Sequence, residues 1–151
     1  MAKAARSPLG TKSALAGLQT AAPPEVIVDF ICENGLLFVA LQSISDRPAY
    51  DVRVAFDKPF RGMGGEQEVS ALRMFQHTPF LGPRRCIRTF LDTTAAYFRR
   101  EEPTSIAATV TYKDFAQREY AHTIEHDLAI YADLSFVTRP APEGTVASVD
   151  G

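Results

Sequence analysis

Tryptophan is absent from this chain of 151 residues, and cysteine occurs only twice, at Cys32 and Cys86. Two cysteines are too few for the disulfide framework of a small secreted protein, so we expect two reduced thiols. No apolar run reaches the roughly 18 residues of a membrane-spanning helix. The formal net charge of -2 lacks the basic excess of nucleic-acid-binding proteins. The remaining composition, with 46% hydrophobic and 23% charged residues, is that of an ordinary globular domain.

Acidic residues are missing from residues 1–24, whose only charged side chains are basic. Basic, acid-poor segments occur in organelle transit peptides, but a flexible tail is the simpler interpretation, and the segment is too weakly apolar for a secretory signal. Residues 138–151 are rich in Pro, Gly and small side chains, which predicts a second flexible tail. The folded domain is therefore expected over residues 25–137, in a cytoplasmic protein.

Short β-rich runs separated by turn signals make up the predicted domain. Asn34-Gly35 stands between two apolar runs, which is the strongest short-range signal for a hairpin. Prolines interrupt the longer windows and argue against long helices. The pattern predicts an all-β fold, an antiparallel β-sandwich of about seven strands. The predicted strands are residues 25–31, 35–42, 48–56, 69–75, 85–91, 106–112 and 118–130.

Alternation of apolar and polar residues identifies the side chains that are expected to face the core. In the third predicted strand, Tyr50 shares one face with Val52, Val54 and Phe56. The sixth and seventh predicted strands alternate in the same way. The predicted core residues are Val52, Val54, Phe56, Ile106, Val110, Tyr112, Ile124 and Leu128.

Residues 122–126 read HTIEH, which matches the H-x-x-E-H pattern of inverted zinc proteases. A zinc site requires a helix, because only helical spacing places His122 and His126 on one face beside Glu125. Helical spacing of nearby apolar residues leaves that alternative open, but a strand with both histidines on its apolar face fits as well. On a strand the two imidazoles are about 13 Å apart. No third ligand is credibly placed downstream, so we predict a strand and no metal site.

Three stretches resemble bacterial immunoglobulin-like β-sandwich modules of the accessory or adhesion type. They are ENGLLFVALQSISDRPAYDVRVAF, PFLGPRRCIRTF and VTYKDFAQREYAHTIEHDL, which combine two hairpins with a Pro-Gly-type turn into a strand. The resemblance implies an immunoglobulin-like fold and an interaction role. Two features depart from it: the antibody-type Cys…Trp…Cys core is absent, and Gln117 stands where such modules often carry glycine. Such a resemblance specifies a fold far better than a function.

Two clusters of aromatic and arginine side chains are the candidate partner-binding sites, because these residue types are enriched at interface hot spots. The weakly patterned segment 69–75 is the expected edge strand, with the first cluster beside it and the second at the opposite end. The alternative is that Phe75 and Phe80 plug the open end of the core. The first cluster is Phe75, His77, Phe80, Arg84 and Arg85, and the second is Tyr97, Phe98, Arg99 and Arg100.

The predicted function is a non-enzymatic protein–protein interaction or structural accessory module, with a protein partner of unknown identity. The alternative is a sandwich that binds a small ligand or carbohydrate, but the usual tryptophan platform for sugars is missing. The glycines of RGMGGEQ, residues 61–67, indicate a hairpin tip, since no helix follows to form a phosphate loop. No nucleophile–base pair is evident, so neither a catalytic residue nor a cofactor is predicted. The pairs Arg84–Arg85 and Arg99–Arg100 lie at opposite ends of one strand and do not form a patch, so nucleic acid is not an expected partner.

Overall fold

A computed structural model describes residues 22–135 as two antiparallel β-sheets packed face to face. The strands are β1 (Val26–Glu33), β2 (Leu36–Ser43), β3 (Ala49–Phe56), β4 (Arg61–Gly62), β5 (Gln67–Glu68), β6 (Thr78–Leu81), β7 (Cys86–Thr93), β8 (Ser105–Lys113) and β9 (Glu119–Asp127). One sheet has the order β1-β2-β7, the other has the order β6-β3-β8-β9, and β4-β5 is a small separate ribbon. The predicted all-β antiparallel sandwich is confirmed.

The turn between β1 and β2 has the backbone that its sequence predicts. Asn34 and Gly35 both adopt left-handed conformations, with φ of 51° and 82°. Two consecutive positive φ values define the hairpin turn whose twist matches that of the flanking strands. The turn aligns Glu33 with Leu36 and thereby sets the register of the whole pair.

Two short helices occur where the sequence predicted a strand and a loop. They are α1 (Arg73–Gln76) and α2 (Thr94–Arg99), and 3-10 turns cover Met63–Gly65, Val69–Ala71 and Leu128–Tyr131. The predicted strand over residues 69–75 is wrong. Its apolar residues Val69, Leu72 and Phe75 recur every third position, which is the period of a 3-10 helix. Within this irregular segment, the side chains of Val69 and Phe75 are buried.

The core lies between the two sheets and is closed by side chains from the connecting segments. The predicted core positions are confirmed: Val52, Ile106, Val110, Tyr112 and Leu128 are buried, and Val54, Phe56 and Ile124 pack against them. The three largest fully buried side chains, Phe60, Phe75 and Tyr97, come from the connections. Alternation therefore identified the layer between the sheets but not the aromatic residues that seal it.

A β-bulge in β3 removes Tyr50 from the face that alternation assigned to it. The pairing of β3 with β8 shifts between Tyr50 and Arg53, and Asp51 has a left-handed φ of 53°. An extra residue in one strand places the side chains of the residues before it on the opposite face of the sheet. Tyr50 is consequently only half-buried, and its ring lies 5.4 Å from the ring of Phe80.

The folded domain begins slightly earlier in the chain than predicted. Pro24, which was predicted to belong to the N-terminal tail, is buried, and its C=O accepts a hydrogen bond from the Tyr112 hydroxyl at 3.1 Å. Residues 1–21 of the predicted N-terminal tail and all of residues 138–151 lie outside the described residues.

Cys32 and Cys86 are free thiols. Within residues 22–135 no helix is long and apolar enough to cross a membrane.

Candidate functional site

Two of the predicted partner-binding side chains lie in the core. Phe75 is fully buried, and its ring contacts the Phe56 ring at a centroid distance of 5.0 Å. Tyr97 is fully buried, and its hydroxyl donates a hydrogen bond to the C=O of Pro103 at 2.6 Å. Burial raises the pKa of Tyr97. For these two residues the structure supports the alternative interpretation, in which aromatic side chains plug the core.

Arg100 is engaged in a network within the fold. Its guanidinium contacts the Asp92 carboxylate at 2.6 Å and donates to the C=O of Arg61 at 3.0 Å. Asp92 is buried and also accepts from the N–H of Gly64 at 3.0 Å. Burial by itself would raise the pKa of Asp92, but the hydrogen bonds from Arg100 and Gly64 outweigh it, and the pKa lies below its usual value. The network fastens the glycine-rich turn to β7.

The glycine-rich segment forms a hairpin tip, as predicted. Residues Arg61–Gly62 and Gln67–Glu68 pair as the β4-β5 ribbon, and the 3-10 turn Met63–Gly65 connects them. The N–H of Gly64, which a phosphate loop would direct at a ligand, is bound to Asp92. Within the described part of the chain, no group of three or more His, Cys, Asp or Glu side chains is placed to hold a metal ion.

The other members of the first predicted cluster are on the surface, on β6 and the turn that follows it. Phe80 is 56% exposed. His77 contacts the Asp51 carboxylate at 2.6 Å, and this hydrogen bond lowers the pKa of Asp51. Arg84 and Arg85 are exposed in the turn. From the second cluster, Phe98 is half-buried and Arg99 is exposed at the far end of the domain. The structure therefore places His77, Phe80, Arg84 and Arg85 along one mostly exposed segment, residues 77–85, and places Arg99 beyond the other end of β7.

The turn leads into β7, which is the outer strand of the three-stranded sheet. The N–H of Ser43 in β2 donates to the C=O of Arg85, and Ile87 and Thr89 follow in register opposite Leu41 and Val39. In an antiparallel pair, alternate residues direct their backbone groups to the partner and away from it. The backbone groups of Cys86, Arg88 and Phe90 are thus directed away from β2. We call residues 86–90 the open edge.

The side chains of Cys86, Arg88 and Phe90 lie on the outer face of this sheet, whereas Ile87 packs against the core. The Arg88 guanidinium is 4.0 Å from the centroid of the Phe38 ring and 3.0 Å from the Glu33 carboxylate. The hydrogen bond from Arg88 lowers the pKa of Glu33. The Phe38 ring also meets the Phe90 ring at 5.8 Å. An arginine stacked on paired aromatic rings is held in place, which reduces the side-chain entropy that binding would cost.

The opposite edge of the same sheet, along β1, is occupied by side chains from the other sheet. Because Ile44 donates to the C=O of Glu25, the carbonyls of Val26, Val28 and Phe30 are directed outward. Each of these carbonyls, and that of Pro24, accepts a hydrogen bond from a side chain: Pro24 from Tyr112 at 3.1 Å, Val26 from His122 at 2.8 Å, Val28 from His126 at 2.9 Å and Phe30 from Tyr131 at 3.0 Å. We call residues 24–30 the closed edge.

The segment HTIEH is therefore part of a strand, β9, that closes the sandwich. The predicted strand is confirmed, and each histidine uses its Nε2–H to donate to a carbonyl of β1. The ring of His126 also meets the Phe30 ring at 4.9 Å. Burial lowers the pKa of His126. An unpaired buried carbonyl costs about 1–3 kcal/mol, so the two imidazoles that satisfy the carbonyls of Val26 and Val28 stabilise the fold.

The open edge and the four donors of the closed edge were missed from the sequence. Alternation placed His122 and His126 on the inner face, but nothing in it indicates that β9 meets β1. The position of β7 at a sheet edge follows from strand order, which depends on contacts between distant segments. The one available signal was the acid-free run of residues 77–91, which contains Arg84, Arg85 and Arg88.

Fold and site together define a two-sheet β-sandwich with one closed and one open edge on its three-stranded sheet. Residues 5–132 match the model of the family described as Domain of unknown function (DUF8453), and the chain belongs to that family. The match begins inside the segment that was predicted as a tail. No curated protein and no solved structure matches the chain.

Proposed function

We propose that this protein is a non-enzymatic interaction module that binds a protein partner through the open edge and the adjoining β6 surface. The observation that carries the proposal is the contrast between two edges of one sheet. Side chains satisfy the outward carbonyls of the closed edge, whereas no strand within residues 22–135 pairs with the outer side of β7. An unpaired strand edge is a template on which an extended segment can add backbone hydrogen bonds.

Exposed side chains beside the open edge supply the contacts that would select a partner. Phe80 presents an exposed ring supported by Tyr50, and Arg84 and Arg85 follow in the turn. Aromatic and arginine side chains contribute most to binding energy in protein interfaces. The strand order, three strands facing four, supports an immunoglobulin-like accessory role. The two free thiols, of which Cys86 is exposed, support a cytoplasmic location.

Affinity capture with matched variants tests this function. Phe80→Ala removes an exposed ring, and Arg88→Pro blocks the open edge by removing an N–H that does not pair with β2. The control is Phe115→Ala, because Phe115 is 57% exposed but lies in the β8–β9 turn. We expect all three variants to stay folded, and Phe80→Ala or Arg88→Pro to weaken the captured partner by about 2 kcal/mol or more. A partner retained equally by all three variants would refute the proposal.

A further inference from the structure

A second long strand edge faces outward on the other sheet, at β9. The N–H of Asp114 donates to the C=O of Arg118, and the N–H of Leu128 donates to the C=O of Thr104. These pairs fix which residues of β9 bond to β8, so the backbone groups of Ala121, Thr123 and Glu125 are directed away from it. The other edge strand of this sheet, β6, is less suited to pairing, because it has four residues and includes Pro79, which has no backbone N–H.

The two outward edges carry opposite charges. The outer face of β9 has three carboxylates, those of Glu119, Glu125 and Asp127, and none of them forms a salt bridge with another described residue. The open edge of β7 follows Arg84 and Arg85 and carries Arg88, and residues 77–91 contain no acid. Arg84 and Arg88 form exposed salt bridges with Asp46 and Glu33 of neighbouring segments, and Arg85 forms none with another described residue. Opposite charges across neighbouring strands stabilise their pairing, and like charges destabilise it.

We propose that the partner of the open edge is a second copy of this chain, whose β9 adds antiparallel to β7. This inference rests on the proposed function in that it uses the same edge. The outward residues of both strands carry their side chains on the outer faces of their sheets, so the two outer faces become continuous. The favoured register places Glu125 opposite Arg88 and Thr123 opposite Phe90, because this alignment pairs the carboxylate of β9 with the guanidinium at the centre of the open edge.

This contact joins two different surfaces, and a pair of joined molecules keeps one free β7 edge and one free β9 edge. The four strands of one copy and the three strands of the next then form one continuous sheet. Such a heterologous contact continues from copy to copy unless its rotation closes a ring. Pairing of β9 with β9 would bring carboxylates together, and pairing of β7 with β7 centred on Arg88 would bring two guanidinium groups together. Charge therefore favours the mixed contact.

Sedimentation velocity of the full chain, from about 10 μM to about 1 mM, tests the proposal. We expect a mean mass that rises with protein concentration and falls with added salt. Arg88→Glu and Glu125→Arg each place like charges in the contact and should weaken association at least about tenfold. An equal mixture of the two variants should associate again, because the first retains an intact β9 and the second an intact β7.

Two controls separate the contact from general charge effects. Glu66→Arg reverses an exposed carboxylate in the glycine-rich turn, which lies outside the two strand segments that would pair, residues 86–90 and 119–127. Glu33→Gln removes the intramolecular partner of Arg88 and leaves Arg88 in place. Glu66→Arg should associate like the unmodified chain, and Glu33→Gln should associate at least as strongly, because it leaves Arg88 free to pair with Glu125.

A chain that remains monomeric throughout, or a mixture that stays monomeric while each control associates, overturns the second copy as partner. The proposed function fails separately, in the capture experiment, when a foreign partner binds Phe80→Ala and Arg88→Pro normally. Capture of a foreign partner that needs the open edge, by a chain that is itself monomeric, would keep the function and reject self-association.

Discussion

Along the β1 side of the three-stranded sheet, the outward carbonyl groups of Val26, Val28 and Phe30 each accept a hydrogen bond from a side chain of β9 or of the 3-10 turn that follows it. Along β7, in the same sheet, the outward groups of Cys86, Arg88 and Phe90 meet no strand within residues 22–135. Proteins that do not use an edge protect it, since exposed edges cause aggregation. Because one edge of the sheet is protected and the other is not, the contrast supports the proposal that a partner adds at the open edge.

The largest expected effect concerns the point where the open edge ends. A Cβ on Gly62 would lie 2.0 Å from the C=O oxygen of Leu91, which is backbone and cannot move aside. Gly62→Ala should separate β4 from β7 and cost about 3 kcal/mol or more. Denaturant unfolding measures the loss. Gly64→Ala is the control for a steric clash, because a Cβ at Gly64 meets nothing within 4 Å. Its φ of 71° adds only a smaller backbone strain. Equal losses in both variants would show that β4 does not cover Leu91 closely.

A smaller effect is expected at the closed edge. His126→Ala removes a half-buried ring that packs on Phe30 and leaves the C=O of Val28 without its donor. The expected loss is about 2–3 kcal/mol in the free energy of unfolding. His77→Ala is the matched control, because the His77 side chain is exposed and its loss should cost within about 0.5 kcal/mol. Indistinguishable melting of the two variants would mean that β1 is not held by β9.

The closed edge should also weaken on acidification. Burial lowers the pKa of His126 in the folded protein. Below about pH 6.5, the unfolded chain takes up a proton that the folded protein does not. This part of the stability is present above that pH and is lost as the pH falls below it. His126→Gln keeps a side-chain N–H donor without a titrating group, so its stability should change less between pH 7 and pH 5. Parallel pH profiles for both proteins would contradict this account.

The smallest effect on stability is expected from Arg88→Pro at the open edge, and the adjacent substitution Thr89→Pro provides the contrast. Arg88→Pro removes an outward N–H and should cost about 1 kcal/mol or less. Thr89→Pro removes an N–H that is directed to β2 and should cost about 3 kcal/mol or more. Thermal melting of both variants compares them directly. Equal destabilisation would mean that the outer side of β7 is already paired.

Much of the fold was predictable from local sequence, because local backbone chemistry determines it. The Asn34-Gly35 turn and the alternation in β8 and β9 specified strands and their inner faces. The bulge at Asp51 could not be predicted, since no residue there requires a left-handed φ. Segment 69–75 was misassigned because its three-residue period competes with strand periodicity when read over so short a run.

The candidate site was less predictable than the fold. Aromatic residues and arginines in loops look alike whether they fill a core, as Phe75 and Tyr97 do, or remain exposed, as Phe80 does. The distinction depends on which segments meet in three dimensions. Arg88 was not singled out at all, because its significance comes from the position of β7 in the sheet.

Amide hydrogen exchange along β7 tests the central contrast most directly. In dilute samples, where the edge is unoccupied, the amides of Ile87 and Thr89 should exchange slowly, and those of Arg88 and Phe90 should exchange quickly. At concentrations where chains associate, or with a bound partner, Arg88 and Phe90 should become protected as well. Slow exchange at all four amides in the dilute monomer would show that β7 is already paired on its outer side, and the open edge would not exist.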